Sequence, residues 1–427
     1  MSEFDNQHSP ENQHAPEIPG FTETSTLVVP RPEEGSKDHT MVLNMGPQHP
    51  STHGVLRVVL EIDGETVVKL VPDIGYLHTG IEKTCEAKFY QQVVPLTDRI
   101  DYLCPMTNNL AYCLAIEKLL QLEIPERAQW MRVLLNELTR LNSHLVWLGT
   151  HAMDIGALTV FLYTFREREE ILRIFEHVSG QRMMTSYFRI GGLALDPPLD
   201  FFSSVRALVK ILPEKIDEYE NLLTGNPIFI GRLKNVGFLT ANDAIALGVT
   251  GPPLRASGVD WDLRRDMPYS SYEKFRFEVP VSNDGDVWAR YIVRLREMRE
   301  STKICLQALD MLASMPEGRI VADAPKIILP DREQMKTQME SLIHHFKIVT
   351  EGFQVPAGEV TSSVEAPHGM MNYYVVSDGT AKPYRVHMRN ADFATLQALE
   401  TMCKGKLIAD VVAIIGSIDI VLGAIDR

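Results

Sequence analysis

Apolar residues recur along this chain with two periods. After Leu134, the leucines Leu138, Leu141, Leu145 and Leu148 follow at steps of four and three. That spacing lays one continuous stripe down a helix. Pro125 suits the opening of that helix, and Thr107 suits the cap of an earlier one running to about Leu122. The same period predicts helices over 156–179 and 201–223, the second kinked near Pro213. It predicts another over about 285–313, with Trp288, Ile292, Leu295, Met298, Cys305 and Leu309 on one side and Arg290 and Arg294 on the other. A shorter helix is expected over 331–347, and the ending, 393–425, reads as helical and apolar.

The second period is two. Leu56–Ile62 and Thr66–Val71 flank Asp63-Gly64, a hairpin signal. Tyr373–Val376 and Tyr384–Met388 flank another Asp-Gly pair, Asp378-Gly379, within a stretch, 353–388, that returns to β structure. Residues 75–104 are mixed and 225–285 are rich in loops. The expected fold class is mainly α with peripheral β (α+β): a long-helix bundle with small antiparallel sheets from the N- and C-terminal parts. It divides into a flexible arm over 1–38 and one domain over 39–427, made of a β/loop part (39–104), the bundle (105–350) and a hairpin with helix (351–427).

Composition narrows the function. The 427 residues are 45% hydrophobic, enough for a large core, and carry a formal charge of −14. A nucleic-acid binder would more often be basic. The five cysteines, Cys85, Cys104, Cys113, Cys305 and Cys403, include no C-x-x-C pair. This opposes a disulfide scaffold and a self-contained zinc or iron–sulfur site, and it fits a reducing compartment. The first 38 residues are rich in Glu, Pro, His, Ser and Thr and lack the apolar run of a secretion signal. The apolar run 411–425 is short for a membrane span and Asp419 interrupts it. There is no G-x-G-x-x-G, P-loop, G-x-S-x-G or H-E-x-x-H.

The densest chemistry lies in Gly46-Pro47-Gln48-His49-Pro50-Ser51-Thr52-His53-Gly54. Its prolines and glycines make a stiff, irregular loop. It carries two imidazoles, the side chains that exchange protons near neutral pH. One reading is a proton-handling site; the other is a turn whose histidines cap neighbouring backbone. Pro50 opposes the helix that would make His49 and His53 a metal pair, so no metal is expected there.

Gly46–Arg57 (GPQHPSTHGVLR), Gly75–Lys83 (GYLHTGIEK), Asn136–Leu148 (NELTRLNSHLVWL), Leu254–Val259 (LRASGV) and Pro383–Val386 (PYRV) resemble the quinone-site, D-type subunit of respiratory complex I. The ending from Val412 to Arg427 resembles that family's C-terminus, and the likeness covers roughly 40 to 427. The family shares the fold of the nickel–iron hydrogenase large subunit, which holds its metals with R-x-C-x-x-C and D-P-C-x-x-C thiolates. The matching segments here are Arg99–Cys104 and Asp419–Ala424. Only Cys104 is a thiol; Asp101, Val421 and Ala424 take the other three places. Soft-metal binding is therefore lost, which speaks against a hydrogenase.

The resemblance implies an NADH:quinone oxidoreductase subunit, active only within its complex. It implies that ubiquinone or menaquinone is bound between this chain and the B-type small subunit, which carries a [4Fe–4S] cluster. Further implied partners are the C-type subunit, the H-type membrane subunit and other peripheral-arm subunits, at the cytoplasmic face of the bacterial inner membrane. The implied site residues are Tyr102 and His53 as hydrogen-bond and proton donors to the headgroup, with Val421 beside it. Asp154 is expected to pair with His53 and raise its pKa. Arg99 and Met184 are expected near the partner's cluster, and His49, His78 and Glu82 in support. Two places depart from the family pattern. Met184 stands where a histidine is usual. Glu365-Ala366-Pro367-His368-Gly369-Met370 has His368 for a Lys or Arg and Met370 for a Glu. These departures leave open a related membrane-bound hydrogenase-like complex, in which the chain is mainly a scaffold or serves a different electron donor. A hydrolase using His53 and Asp154 lacks a nucleophile elbow.

Overall fold

The computed structural model describes residues 40–315 and 318–427; the expected arm over 1–38 lies outside them. A first sheet has the order β1 (Thr40–Met45), β2 (Arg57–Asp63), β3 (Thr66–Asp73). The β2–β3 hairpin closes at Asp63↔Thr66, so the turn falls on Gly64-Glu65 as the Asp-Gly signal predicts.

Five long helices follow: α1 (Pro105–Leu120), α2 (Glu126–Asp154), α3 (Leu158–Ser179), α4 (Phe201–Leu223) and α5 (Val287–Ser314). Pro105 occupies the first turn of α1, where its missing N–H costs nothing. Asp286 caps α5 by accepting from the Ala289 N–H. The five leucines of the α2 stripe are all fully buried. α2 packs against α3 and α5, and α5 against α4, so α2 is the central strut.

A second sheet of β4 (Gly358–Ala366), β5 (Gly369–Ser377) and β6 (Arg385–Arg389) pairs antiparallel in that order, beside α1. α6 (Ala391–Gln397), Leu399–Cys403, α7 (Ile408–Ile418) and Leu422–Asp426 finish the chain.

Several expectations are corrected. The tight β hairpin of the C-terminal part turns at Pro367-His368, where Ala366 pairs with Gly369. The strands expected to flank Asp378-Gly379 do pair, as β5 with β6, through a longer connection that contains this pair. The expected strand 373–376 is the second half of β5, whose partner β4 is masked in the sequence by its Thr, Ser and Glu content. The helix expected over 331–347 is two, Arg332–Thr337 and Met339–Thr350, and the apolar ending is four short helices. Arg290 and Arg294, expected opposite the apolar side of α5, are fully buried. α5 is therefore enclosed on its polar side too.

The charges are buried because they are paired. Arg264 contacts Asp262 at 2.7 Å, Glu297 at 2.8 Å and Glu137 at 3.2 Å. Arg255 contacts Glu365 at 2.8 Å and Glu297 at 3.2 Å. His144 meets the other oxygen of Glu297 at 3.1 Å. Mutual pairing of this kind is what lets ions leave water.

Candidate functional site

Two turns meet beside the second sheet. The first is Asp101–Cys104, leading into α1. Asp101 accepts the N–H groups of Leu103 at 3.1 Å and Cys104 at 3.3 Å, and the Cys104 thiol at 2.7 Å. Asn108 donates to the Asp101 carbonyl at 3.2 Å. These bonds fix the half-buried Tyr102 between two fully buried residues.

The second turn, Asp419–Val421, leaves the end of α7. Asp419 takes the left-handed conformation, φ 54°, and ends the helix. Val421 donates its N–H to Asp392 at 2.9 Å. Gly423 lies so close to the first turn that a Cβ there would be 2.6 Å from the Ile100 carbonyl oxygen. Tyr102, Cys104 and Val421 belong to one apolar cluster. The two segments that match the hydrogenase metal motifs thus come together, as the resemblance implies.

His368, from the β4–β5 turn, bridges them. Its Nε2 stands 3.2 Å from Asp101 Oδ2 and 3.3 Å from Ser143 Oγ, and its Nδ1 stands 3.2 Å from Asp419 Oδ2. Burial works against charge on this ring, but Asp101, Asp419 and Asp392 outweigh it and raise the pKa to about 10. Burial would also raise the Asp419 pKa, yet His368 and Arg294 hold the carboxyl below its usual range. Asp392 is pushed up to about 7 by burial, despite His368, with Asp101 and Asp419 adding to the rise. Burial, then Asp101 and Asp392, raise the Tyr102 phenol, which favours its protonated form.

Asp101, Cys104 and His368 each offer one metal-ligand atom, all within 4.8 Å of one another. The set does not suit a cation. His368 is itself positive, and the buried Cys104 thiol, its pKa raised far above the usual value, keeps its proton and donates it to Asp101. Sequence reasoning does not find His368 as a site residue. A signal for it exists, since the departure in Glu365–Met370 falls on it.

His53 follows a short 3-10 turn, Pro50–Thr52, with φ 55°. His53 is exposed at the surface, although neighbouring atoms crowd its ring. Burial lowers its pKa, Asp419 draws it up, and His368 lowers it again. The direction is opposite to the expected raised value: burial outweighs the pull of Asp419, and His368 opposes that pull. The expected His53–Asp154 pair is corrected as well, since no hydrogen bond or ion pair joins them among the described residues. The charge that acts on Asp154 is His49. Asp154, the last residue of α2, lies against Gly416 of α7, where a Cβ would sit 3.5 Å from its Oδ2. Burial pushes its pKa up to about 6. His49 itself caps the short turn, its Nδ1 accepting the Ser51 N–H at 3.2 Å.

The remaining expected residues lie apart from this cluster. Arg99 is exposed and Met184 half-buried. Asp98, next to Arg99, accepts the N–H and hydroxyl of Ser186 at 3.1 and 2.6 Å, so the two segments are joined. His78 Nδ1 pairs with the Asp426 carbonyl at 2.7 Å. Glu82 accepts from the Met388 N–H at 2.9 Å and contacts Arg385 at 3.2 Å and Arg427 at 3.5 Å. Both hold the chain's ending in place.

The structure is thus a long-helix bundle in which two turns distant in sequence meet around a buried acid–imidazole cluster. Residues 154–427 match the family described as the respiratory-chain NADH dehydrogenase, 49 Kd subunit. The second of the NADH-quinone oxidoreductase D-type subunits of Koribacter versatilis is 72% identical over 394 residues, covering 92% of this chain and 98% of that one. The first D-type subunit of Solibacter usitatus is 65% identical over 411 residues, covering 96% and 99%. The D-type subunit of Geotalea uraniireducens is 58% identical over 387 residues, covering 91% and 98%. The chain belongs to this 49 kDa family, the D-type subunits of complex I.

Proposed function

We propose that the chain forms the quinone-reduction site of an NADH:quinone oxidoreductase, with Tyr102 and His53 facing the headgroup. The observation that carries this is the meeting of Arg99–Cys104 with Asp419–Ala424 around Tyr102. A buried acid–imidazole cluster stands there in place of four thiolates.

Two-electron reduction of a quinone requires two protons at its carbonyl oxygens. The Tyr102 phenol holds its proton firmly and so offers a hydrogen bond first, giving the proton up only to a strongly basic oxygen. His53, with its lowered pKa, is an acidic donor once charged. Val421 supplies apolar contact behind Tyr102.

The joined face of Arg99 and Met184 suits contact with the B-type small subunit and its [4Fe–4S] cluster. The C-type subunit, the H-type membrane subunit and the rest of the peripheral arm complete the assembly in this reading. No helix among the described residues is long and apolar enough to cross a membrane. Attachment at the cytoplasmic face of the bacterial inner membrane then falls to the partners.

Tyr102→Phe in the purified complex tests the assignment. One hydroxyl is lost, with a hydrogen bond worth about 1 kcal/mol or more to a buried partner. Assembly should stay intact while turnover with short-chain quinones drops. Wild-type turnover would overturn the role of Tyr102.

A further inference from the structure

We propose that His368 is a positioning residue of the headgroup site: it locks the turn bearing Tyr102 to the turn bearing Val421, and through that bridge it sets the proton affinity of His53. The inference rests on the reading that His53 and Tyr102 serve the headgroup.

The geometry is that of a bridge. Asp101 and Asp419 belong to turns more than 300 residues apart in sequence, and one ring stands 3.2 Å from each of them through its two nitrogens. Ser143 on α2 approaches the same ring at 3.3 Å. His368 is 3% exposed, so no solvent ion can take over its role. A neutral residue of similar size would leave two buried carboxylates facing each other across the gap, which is costly.

The charge reaches His53 by two routes with one sign. His368 repels a proton on His53 directly, and it neutralises Asp419, the carboxylate that attracts one. The groups facing the pair come from every packed element. Asp101 and Cys104 lie on the turn before α1, and Arg140 and His144 lie beside Ser143 on α2. Arg294 on α5 stands behind Asp419 at 3.7 Å. Asp392 comes from α6, and His49 from the loop that carries His53. None of these replaces a cation held between Asp101 and Asp419.

The test uses the purified complex and the pH dependence of turnover with a short-chain quinone. In His368→Gln the ionisation assigned to His53 should move to higher pH by about one unit, the scale of one nearby opposite or like charge, with lowered turnover. His368→Lys keeps the charge and should keep the profile close to wild type. Asp419→Asn removes the attracting partner and should move the ionisation the other way. His53→Asn should abolish this ionisation, and adding His368→Gln to it should produce no shift.

A wild-type profile in His368→Gln overturns the proposal. So do equal shifts in the Gln and Lys variants, or shifts of the same direction in His368→Gln and Asp419→Asn. If His368→Gln does not assemble, a shifted profile in His368→Lys, or an unshifted or upward-shifted one in Asp419→Asn, overturns it. Wild-type turnover in His53→Asn would instead remove the headgroup reading itself.

Discussion

The carboxylate of Asp426 accepts the backbone N–H of Leu77 at 2.6 Å. Its other oxygen accepts the Gly75 N–H at 2.9 Å, and His78 meets the Asp426 carbonyl. The Gly75–Lys83 motif is thus a socket for the chain's last residues. The same residues, Leu422–Asp426, lie directly after the Asp419–Val421 turn. Holding Asp426 therefore holds the Asp419–Val421 turn in place.

Asp426→Ala removes two hydrogen bonds to a charged acceptor, each worth about 1.5–3 kcal/mol. The expected outcome is a lower unfolding temperature and less assembled complex, with quinone turnover per assembled complex also reduced. Asp426→Asn retains one of the two acceptor oxygens and should fall between. Thermal unfolding of the purified complex, with turnover measured alongside, separates the three proteins. An unchanged melting temperature in Asp426→Ala would mean that the socket does not hold the ending.

The elements that a period can announce are legible in the sequence. Phe201–Leu223 matches its expected bounds to the residue, because one amphipathic face and polar flanks delimit it. The Asp63-Gly64 hairpin is equally clear. Features set by distant partners are not legible. Arg290 and Arg294 look like a solvent face, yet Arg290 donates to the Gly237 carbonyl at 2.8 Å and Arg294 to the Ser417 carbonyl at 2.7 Å. His368 looks like a local departure in a motif, because nothing near it in sequence reveals Asp101 or Asp419. Asp154 goes to the wrong histidine for a similar reason: two imidazoles four residues apart in a tight turn can face different neighbours, and only the fold says which.

That last correction has an energetic consequence. Residues that act as a unit lose activity non-additively. If His53 and Asp154 were one unit, their double variant would lose less than the sum of the single losses. The charge that shifts Asp154 is instead that of His49, and those that shift His53 are Asp419 and His368. A double-mutant cycle of His49 with Asp154 should show the interaction, while His53 with Asp154 should be close to additive. Turnover of the wild-type complex, the three single variants and the two double variants provides both cycles in free-energy terms. The reverse pattern would restore the direct His53–Asp154 pair.

The interior ion network ties stability to pH. Glu297 is fully buried and touched by Arg255, Arg264, Arg140 and His144. Burial alone would raise its pKa, but these partners, Arg255 foremost, hold it well below the usual carboxylate range. Asp262, buried beside Arg264 and Arg255, is held down to about 2. A carboxyl whose folded pKa is depressed contributes stability that is present above its unfolded value and lost as the pH falls through the folded one. The network's contribution should therefore be intact at pH 7 and fade between about pH 4.5 and 2, from the unfolded Glu value down to the folded Asp262 value. Glu365 opposes this in part: burial and Asp262 raise its pKa, despite Arg255. Glu297→Gln leaves Arg255, Arg264 and Arg140 short of a partner and should cost about 3–5 kcal/mol at pH 7, the range for breaking a buried ion pair. Because the variant has already lost the titrating group, its unfolding temperature should fall less steeply below about pH 4.5 than that of the wild type. Two parallel curves of unfolding temperature against pH would mean that Glu297 is not an ionised partner in the folded chain.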